Sequence, residues 1–163
     1  MSPGTAAAAA ETKNVGMGQI AIARTPARLG AVLGSCVGIA IFDPRSQWGA
    51  LGHVVLPDSH GRPANPGKFA NTAVAHMLQL LKEQGARPAG LIAKIAGGAC
   101  MFESAGPMQI GDANVRAVLQ ALEAAGVKAA AKDVGGTSGR RILLDCRTGA
   151  LTVQTAGNPA RML

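Results

Sequence analysis

Hydrophobic positions along the chain change period several times, and each change marks an element. Residues 19–23, 29–33 and 37–42 are short apolar runs separated by turn residues, the signature of buried strands. Asp43-Pro44-Arg45-Ser46 supplies turn chemistry, after which residues 48–56 resume an extended apolar pattern. The period then lengthens. Phe69, Ala73, Met77, Leu80 and Leu81 recur at helical spacing, predicting a helix over 68–84 that Gly85 stops. A strand over 91–95 is broken by Gly97-Gly98. Val115, Val118, Leu119 and Leu122 make one face of a second helix over 112–125, with Asp112 able to cap it and Gly126 to end it. Strands over 127–134, 141–146 and 150–154 complete the set, the last two joined by a Thr148-Gly149 turn. Runs of strands interrupted by two amphipathic helices predict an α+β fold: a mixed-sheet sandwich with two main helices packed outside the sheets.

Residues 57–67 hold three Pro and two Gly and read as a surface loop. Residues 1–14, rich in Ala and turn formers, read as a disordered leader. Residues 156–163 read as a flexible tail, leaving one domain over 15–155. Composition sharpens this picture: 48% of the 163 residues are hydrophobic but only 2% aromatic, so the core must be built from small aliphatic layers. No run reaches the roughly 18 to 20 apolar residues that span a bilayer. The alanine run 6–10 has no basic residue before it and does not make a secretory signal, so a cytoplasmic protein without membrane insertion is expected. Three widely spaced cysteines are an odd number and do not form a disulfide framework.

The net charge of +7 raises the question of nucleic acid. The 16 basic residues are scattered, however, and only Arg140 and Arg141 adjoin. Three Phe, one Trp and no Tyr offer few stacking platforms. A solvated basic surface with a preference for acidic protein partners, and no nucleic acid, is the economical reading.

The sharpest chemical feature is Leu33-Gly34-Ser35-Cys36, where a Gly-Ser turn between two apolar runs presents a cysteine at the mouth of a pocket. His53 lies 17 positions later, inside an apolar strand and across a plausible hairpin from Cys36. A thiol of pKa near 8.5 is only about 3% thiolate at pH 7, and an adjacent imidazole lowers that pKa and activates the nucleophile. Spacing alone leaves the other reading open, because free Cys is among the most buried residue types and a strand His is commonly a satisfied core residue. Cys100 and Cys146 read as structural thiols, and His60 and His76 as surface residues. The Cys and His positions contain no CxxC or HxxxH pair, so neither a metal site nor any other cofactor is expected. The string 135–140 is glycine-rich but has neither Walker nor Rossmann spacing, and reads as a tight turn with a substrate-facing edge. Gly34 and Ser35, the Gly97-Gly98 break and the Gly135-Gly136 turn are accordingly the candidate substrate-binding or site-shaping positions.

Six ordered strings carry a resemblance. They are Leu33-Gly34-Ser35-Cys36-Val37; Phe42-Asp43-Pro44; Gly52-His53-Val54-Val55-Leu56-Pro57; Ala93-Lys94-Ile95 with Gly97-Gly98-Ala99 and Met101; Ile110-Gly111 with Asn114; and Asp133-Val134-Gly135-Gly136 with Gly139-Arg140. Over roughly residues 18–154 the chain resembles the chemoreceptor glutamine deamidase family, CheD. The resemblance implies the α/β sandwich shared with toxin-type cysteine deamidases. It also implies hydrolysis of glutamine side chains on methyl-accepting chemotaxis receptors to glutamate, with Cys36 as nucleophile and His53 as its partner. Receptor cytoplasmic domains are the implied substrate, and a CheC-type phosphatase the implied second partner. The family usually places a threonine five or six residues before the nucleophile. Here those positions are Ala31 and Gly30, which leaves Ser35 or a backbone carbonyl to orient the imidazole; a catalytically weakened binding module is the alternative this departure suggests. The aromatic residue usual before Gly97 is replaced by Ala96.

Overall fold

The computed structural model describes residues 11–62, 65–100 and 109–163. Ten strands and two α-helices run in the order β1 (Thr12–Asn14), β2 (Ile20–Arg24), β3 (Arg28–Leu33), β4 (Val37–Asp43), β5 (Trp48–Val54), α1 (Ala70–Glu83), β6 (Ile92–Gly97), α2 (Ile110–Ala124), β7 (Ala129–Val134), β8 (Arg140–Asp145), β9 (Leu151–Thr155) and β10 (Arg161–Met162). A 3-10 turn, Pro66–Lys68, leads into α1. One sheet has the order β1-β3-β8-β9-β10 and the other β2-β5-β4-β6-β7. Both are mixed: β1 runs parallel to β3 and β6 parallel to β7, and the remaining pairs are antiparallel.

The β4 sequence shows why this sheet is central. All seven of its residues are buried, the mark of a strand covered on both faces, and alternate side chains feed two separate cores. Ile39 and Ile41 pack with Val74, Met77 and Leu81 of α1 and Val118 and Leu122 of α2. Ala40 and Phe42 pack with Leu29 and Leu33 of β3 and Ile142 and Leu144 of β8. The molecule is therefore three layers deep: outer sheet, central sheet, helices. The small aliphatic core expected from composition is what lets the layers approach. A Cβ on Gly38 would lie 2.5 Å from Ile142 Cδ1, and one on Gly52 would lie 2.8 Å from Met77 Sδ.

The α+β sandwich with outer helices is as the pattern predicts, with differences at element ends. Thr12–Asn14, expected in the leader, pairs with β3, and Arg161–Met162, expected in a loose tail, pairs with β9. Neither segment has apolar alternation, because each is an exposed edge strand paired to its neighbour through the backbone. Residues 1–10 and Met101 lie outside the described residues. Gly85 and Gly126 end the helices with φ of 89° and 73°, the left-handed conformation that glycine adopts without penalty. Asp112 is not the cap of α2. Gln109 holds that position, and Asp112 lies in the first turn, where a carboxylate still complements the helix dipole.

Candidate active site

Cys36 follows the turn that carries the chain from β3 in the outer sheet to β4 in the central sheet, so the fold crosses between layers at the nucleophile candidate. β4 and β5 pair antiparallel with Gly38 opposite His53 and Val37 opposite Val54. Residues directly opposite share a face, and so do residues two apart on one strand. Cys36 and His53 consequently point from adjacent strands into the same space between the two sheets, as diagonal neighbours one step beyond the end of the ladder. Cys36 is 7% exposed and His53 3%.

A buried imidazole needs a partner, and His53 Nδ1 lies 2.9 Å from the carbonyl oxygen of Val15. A carbonyl only accepts, so Nδ1 carries a hydrogen, and whenever the ring is neutral Nε2 is the nitrogen that holds the lone pair. Val15 is itself fixed, its N–H donating to Gly30 O at 2.7 Å. The strand containing His53 is held along the same connection, with Gly18 N donating to His53 O and His53 N to Gln19 O. A backbone carbonyl thus orients the ring. Of the two positions where the family's threonine is usual, Ala31 faces the space between the sheets, whereas a Cβ on Gly30 would meet Asn14 Oδ1 and Leu143 Cδ1. Val15 left no chemical signal in the sequence, since its contribution is a carbonyl that every residue has.

The thiol differs from expectation. Burial among the apolar side chains between the sheets pushes the Cys36 pKa up from its ordinary 9.0, and it is the one influence resolved. The sequence reading expected an imidazole to hold the thiol as an anion. Burial therefore moves the thiol toward its protonated form, the opposite direction from the one an ion pair with the imidazole would give.

The expected glycine positions do frame Cys36. Gly98 N donates to Cys36 O at 2.8 Å, Ala99 N to Gly34 O at 3.0 Å, and Gly135 N to Gly97 O at 3.0 Å. Gly97 and Gly98 have φ of 108° and 67°, and a Cβ on Gly97 would run into Cys36 O. Gly135 and Gly136 turn with φ of 83° and 70°, and Cys100 N donates to Gly136 O. Two side chains not singled out in the sequence complete the frame. The buried guanidinium of Arg140 donates to Gly97 O at 2.9 Å, to Gly135 O at 2.5 Å and to Asp133 Oδ1 at 3.0 Å, tying both glycine turns together. Asn114 of α2, fully buried, donates from Nδ2 to Ser35 O at 3.1 Å and to Val55 O at 2.9 Å. Both stand in strings conspicuous in the sequence, but only the third dimension places them on this turn. The Ser35 side chain is half-buried, and its recorded contribution is its carbonyl.

The other candidates stand apart from this pair. Cys146 is fully buried between the sheets, where burial and the nearby Asp145 raise its pKa to about 11. Cys100 is half-buried, with its thiol hydrogen-bonded to Asp112 and its pKa raised by desolvation first and by that carboxylate second. His60 is on the exposed loop beside Asp58, and His76 is half-buried on α1. A cavity of about 630 Å³ opens between α1 and α2, lined by Asn71, Val74, Ala117 and Ala121 among others, on the far side of the central sheet from both Cys36 and His53. No helix among the described residues is long and apolar enough to cross a membrane.

Known proteins share much of this sequence. A protein from Thermotoga maritima described as chemoreceptor glutamine deamidase CheD is 44% identical over 146 residues, covering 89% of this chain and 92% of the relative. The chain belongs to the CheD family. The family's sequence model, described as CheD chemotactic sensory transduction, matches residues 55–155, which begins just past His53. The longer alignments carry the likeness across the first half. A probable CheD of Symbiobacterium thermophilum is also 44% identical, over 88% of this chain and 92% of its own length. One from Methanococcus maripaludis is 37% identical over 86% and 93%. Among solved structures, a Bacillus licheniformis hypothetical protein, YfiH, is similar with a TM-score of 0.48 and 16% identity, covering 70% of this chain and 49% of that one.

Proposed function

We propose that this protein hydrolyses glutamine side chains of chemotaxis receptors to glutamate, with Cys36 as nucleophile and His53 as general base and acid. One observation carries the reading: His53 Nδ1 is held by the Val15 carbonyl, so the lone pair of Nε2 remains for chemistry on the face it shares with Cys36. As the glutamine carboxamide enters, Sγ attacks its carbonyl carbon and the thiol proton passes to Nε2. The C–N bond then breaks, the same proton leaves with the amine as ammonia, and a thioester remains. Water attacks the thioester, giving its proton to Nε2. Cleavage of the C–S bond returns that proton to sulfur and releases glutamate. A thiol whose pKa burial raises suits this sequence, since deprotonation is coupled to attack rather than completed beforehand.

The relatives' names support the substrate class, and the basic character of the chain, +7, suits docking on acidic receptor helices in the cytoplasm. The alternative of a binding module rested on the missing threonine, and the Val15 carbonyl supplies the imidazole with a partner without it. Incubation with a receptor cytoplasmic fragment tests the reading. Wild-type protein is expected to release ammonia and convert glutamine to glutamate, and Cys36→Ala to do neither while remaining folded; turnover by Cys36→Ala would refute it. A CheC-type phosphatase as second partner is expected to co-elute with the wild-type chain in size-exclusion chromatography, and separate elution would remove it.

A further inference from the structure

We infer that Asn114 is a positioning residue for the Cys36–His53 pair: its carboxamide ties the nucleophile's turn to the strand that carries the base. The inference rests on the roles proposed above for Cys36 and His53.

The β4–β5 ladder ends at the pair Val37–Val54, one residue short of Cys36. Beyond that point β5 departs, with Val55 N and Leu56 N both donating to Lys68 O. The turn before Cys36 is held to β6 through Gly98 N on Cys36 O and Ala99 N on Gly34 O. The link from this turn to the His53 strand is made by a side chain, with Asn114 Nδ2 donating both of its hydrogens, one to Ser35 O and one to Val55 O. Ser35 immediately precedes Cys36, and Val55 is two residues past His53.

Two features show that this bridge is built for geometry. The amide orientation is fixed by chemistry, because only the NH₂ end can satisfy two carbonyls. Its other end, Oδ1, is buried and makes no hydrogen bond to any described residue, so Asn114 acts through its two donated bonds. Those two contacts end on the segment that precedes Cys36 and on the one that follows His53. The seat of Asn114 is equally determined. A Cβ on Gly111 would meet Ala99 O and Gly98 O, and one on Gly98 would run into Val115, so the start of α2 lies directly on the glycine turn that holds Cys36. Helix α2 thereby sets the spacing of thiol and imidazole from outside the layer in which they meet.

Asn114→Asp preserves volume and removes both donated bonds. With a chemoreceptor cytoplasmic fragment as substrate, kcat is expected to fall by about a hundredfold with KM within about threefold, as misplacement of a reacting pair by an ångström costs. Iodoacetamide labelling supplies a readout that general loosening would move differently: Cys36 labels faster than in wild type, while Cys146, fully buried between the sheets, stays protected. A kcat within twofold of wild type, a loss confined to KM, or Cys36 and Cys146 becoming reactive together overturns the inference. If Asn114→Asp does not fold, Asn114→Ser is read by the same criteria, and failure of both to fold makes Asn114 a structural residue and overturns it as well. Ammonia release persisting in Cys36→Ala sinks the roles of the pair and this inference with them. A dead Cys36→Ala beside a fully active Asn114→Asp sinks the inference alone.

Discussion

At single residues, the site depends on atoms for which no substitute fits. Gly97 combines a φ of 108° with a direct approach to Cys36 O, so any side chain must strain the backbone and push the nucleophile's turn away. Gly97→Ala is expected to cost on the order of 1–3 kcal/mol in urea unfolding and to lower ammonia release more than stability alone explains. Equal activity per folded molecule would show that the turn tolerates displacement. The thiol gives a second expectation. Because burial raises the Cys36 pKa, alkylation of the free protein at pH 8 is expected to be slower than that of an unstructured cysteine peptide; faster alkylation would mean that the pair is already ionised at rest. Motif and spacing together named Cys36 and His53 as partners. Val15 was invisible to both, since a carbonyl acquires meaning only when folding aims it.

At the level of elements, the glycine turns at the ends of β6 and β7 are held by one ion pair. Arg140 is 6% exposed and Asp133 12%, and the guanidinium also donates to two carbonyls, of which Gly97 O keeps the Gly135 N–H, so removing it deprives a largely buried carboxylate and the Gly135 carbonyl of their donor. Arg161 adds a longer contact to Asp133, 3.5 Å, that softens the loss. Arg140→Leu is expected to destabilise by about 3 kcal/mol, and the double variant Arg140→Leu/Asp133→Leu by less, because an apolar pair leaves no uncompensated charge. Thermal or urea unfolding of the three proteins checks this, and a double variant worse than the single one would contradict it. Helix positions were legible for a simple reason: α1 and α2 each bury one stripe, and a 3.6-residue period survives in any sequence that does so. The edge strands β1 and β10 were not legible, because what holds them is main-chain hydrogen bonding to β3 and β9.

Across the whole molecule, stability should depend on pH in the alkaline range. Cys146 titrates at about 11 when folded and at about 9.0 when unfolded. Its folded pKa is raised, so its contribution is complete below pH 9, where both states are protonated, and is lost as pH rises through 11, where the unfolded chain has shed a proton that the folded one must also give up. Two pK units correspond to about 3 kcal/mol at most. Lys94, whose pKa burial lowers, works in the opposite sense at high pH, so the comparison must be with Cys146→Ala. The fall in unfolding free energy between pH 8.5 and pH 11 is expected to be smaller in that variant by about 1–3 kcal/mol; identical slopes would show that Cys146 does not contribute. The sequence by itself determined the inner strands and both helices, the sandwich class and the family, and it nominated Cys36 and His53, because periodicity, turn chemistry and local strings are properties of neighbours along the chain. Only the tertiary structure decided that burial raises the thiol's pKa, that a main-chain carbonyl accepts from the imidazole, and that a helix asparagine joins the segments carrying the two residues. Those depend on desolvation and on hydrogen bonds between residues 38 to 79 positions apart, quantities that exist only once the layers have closed.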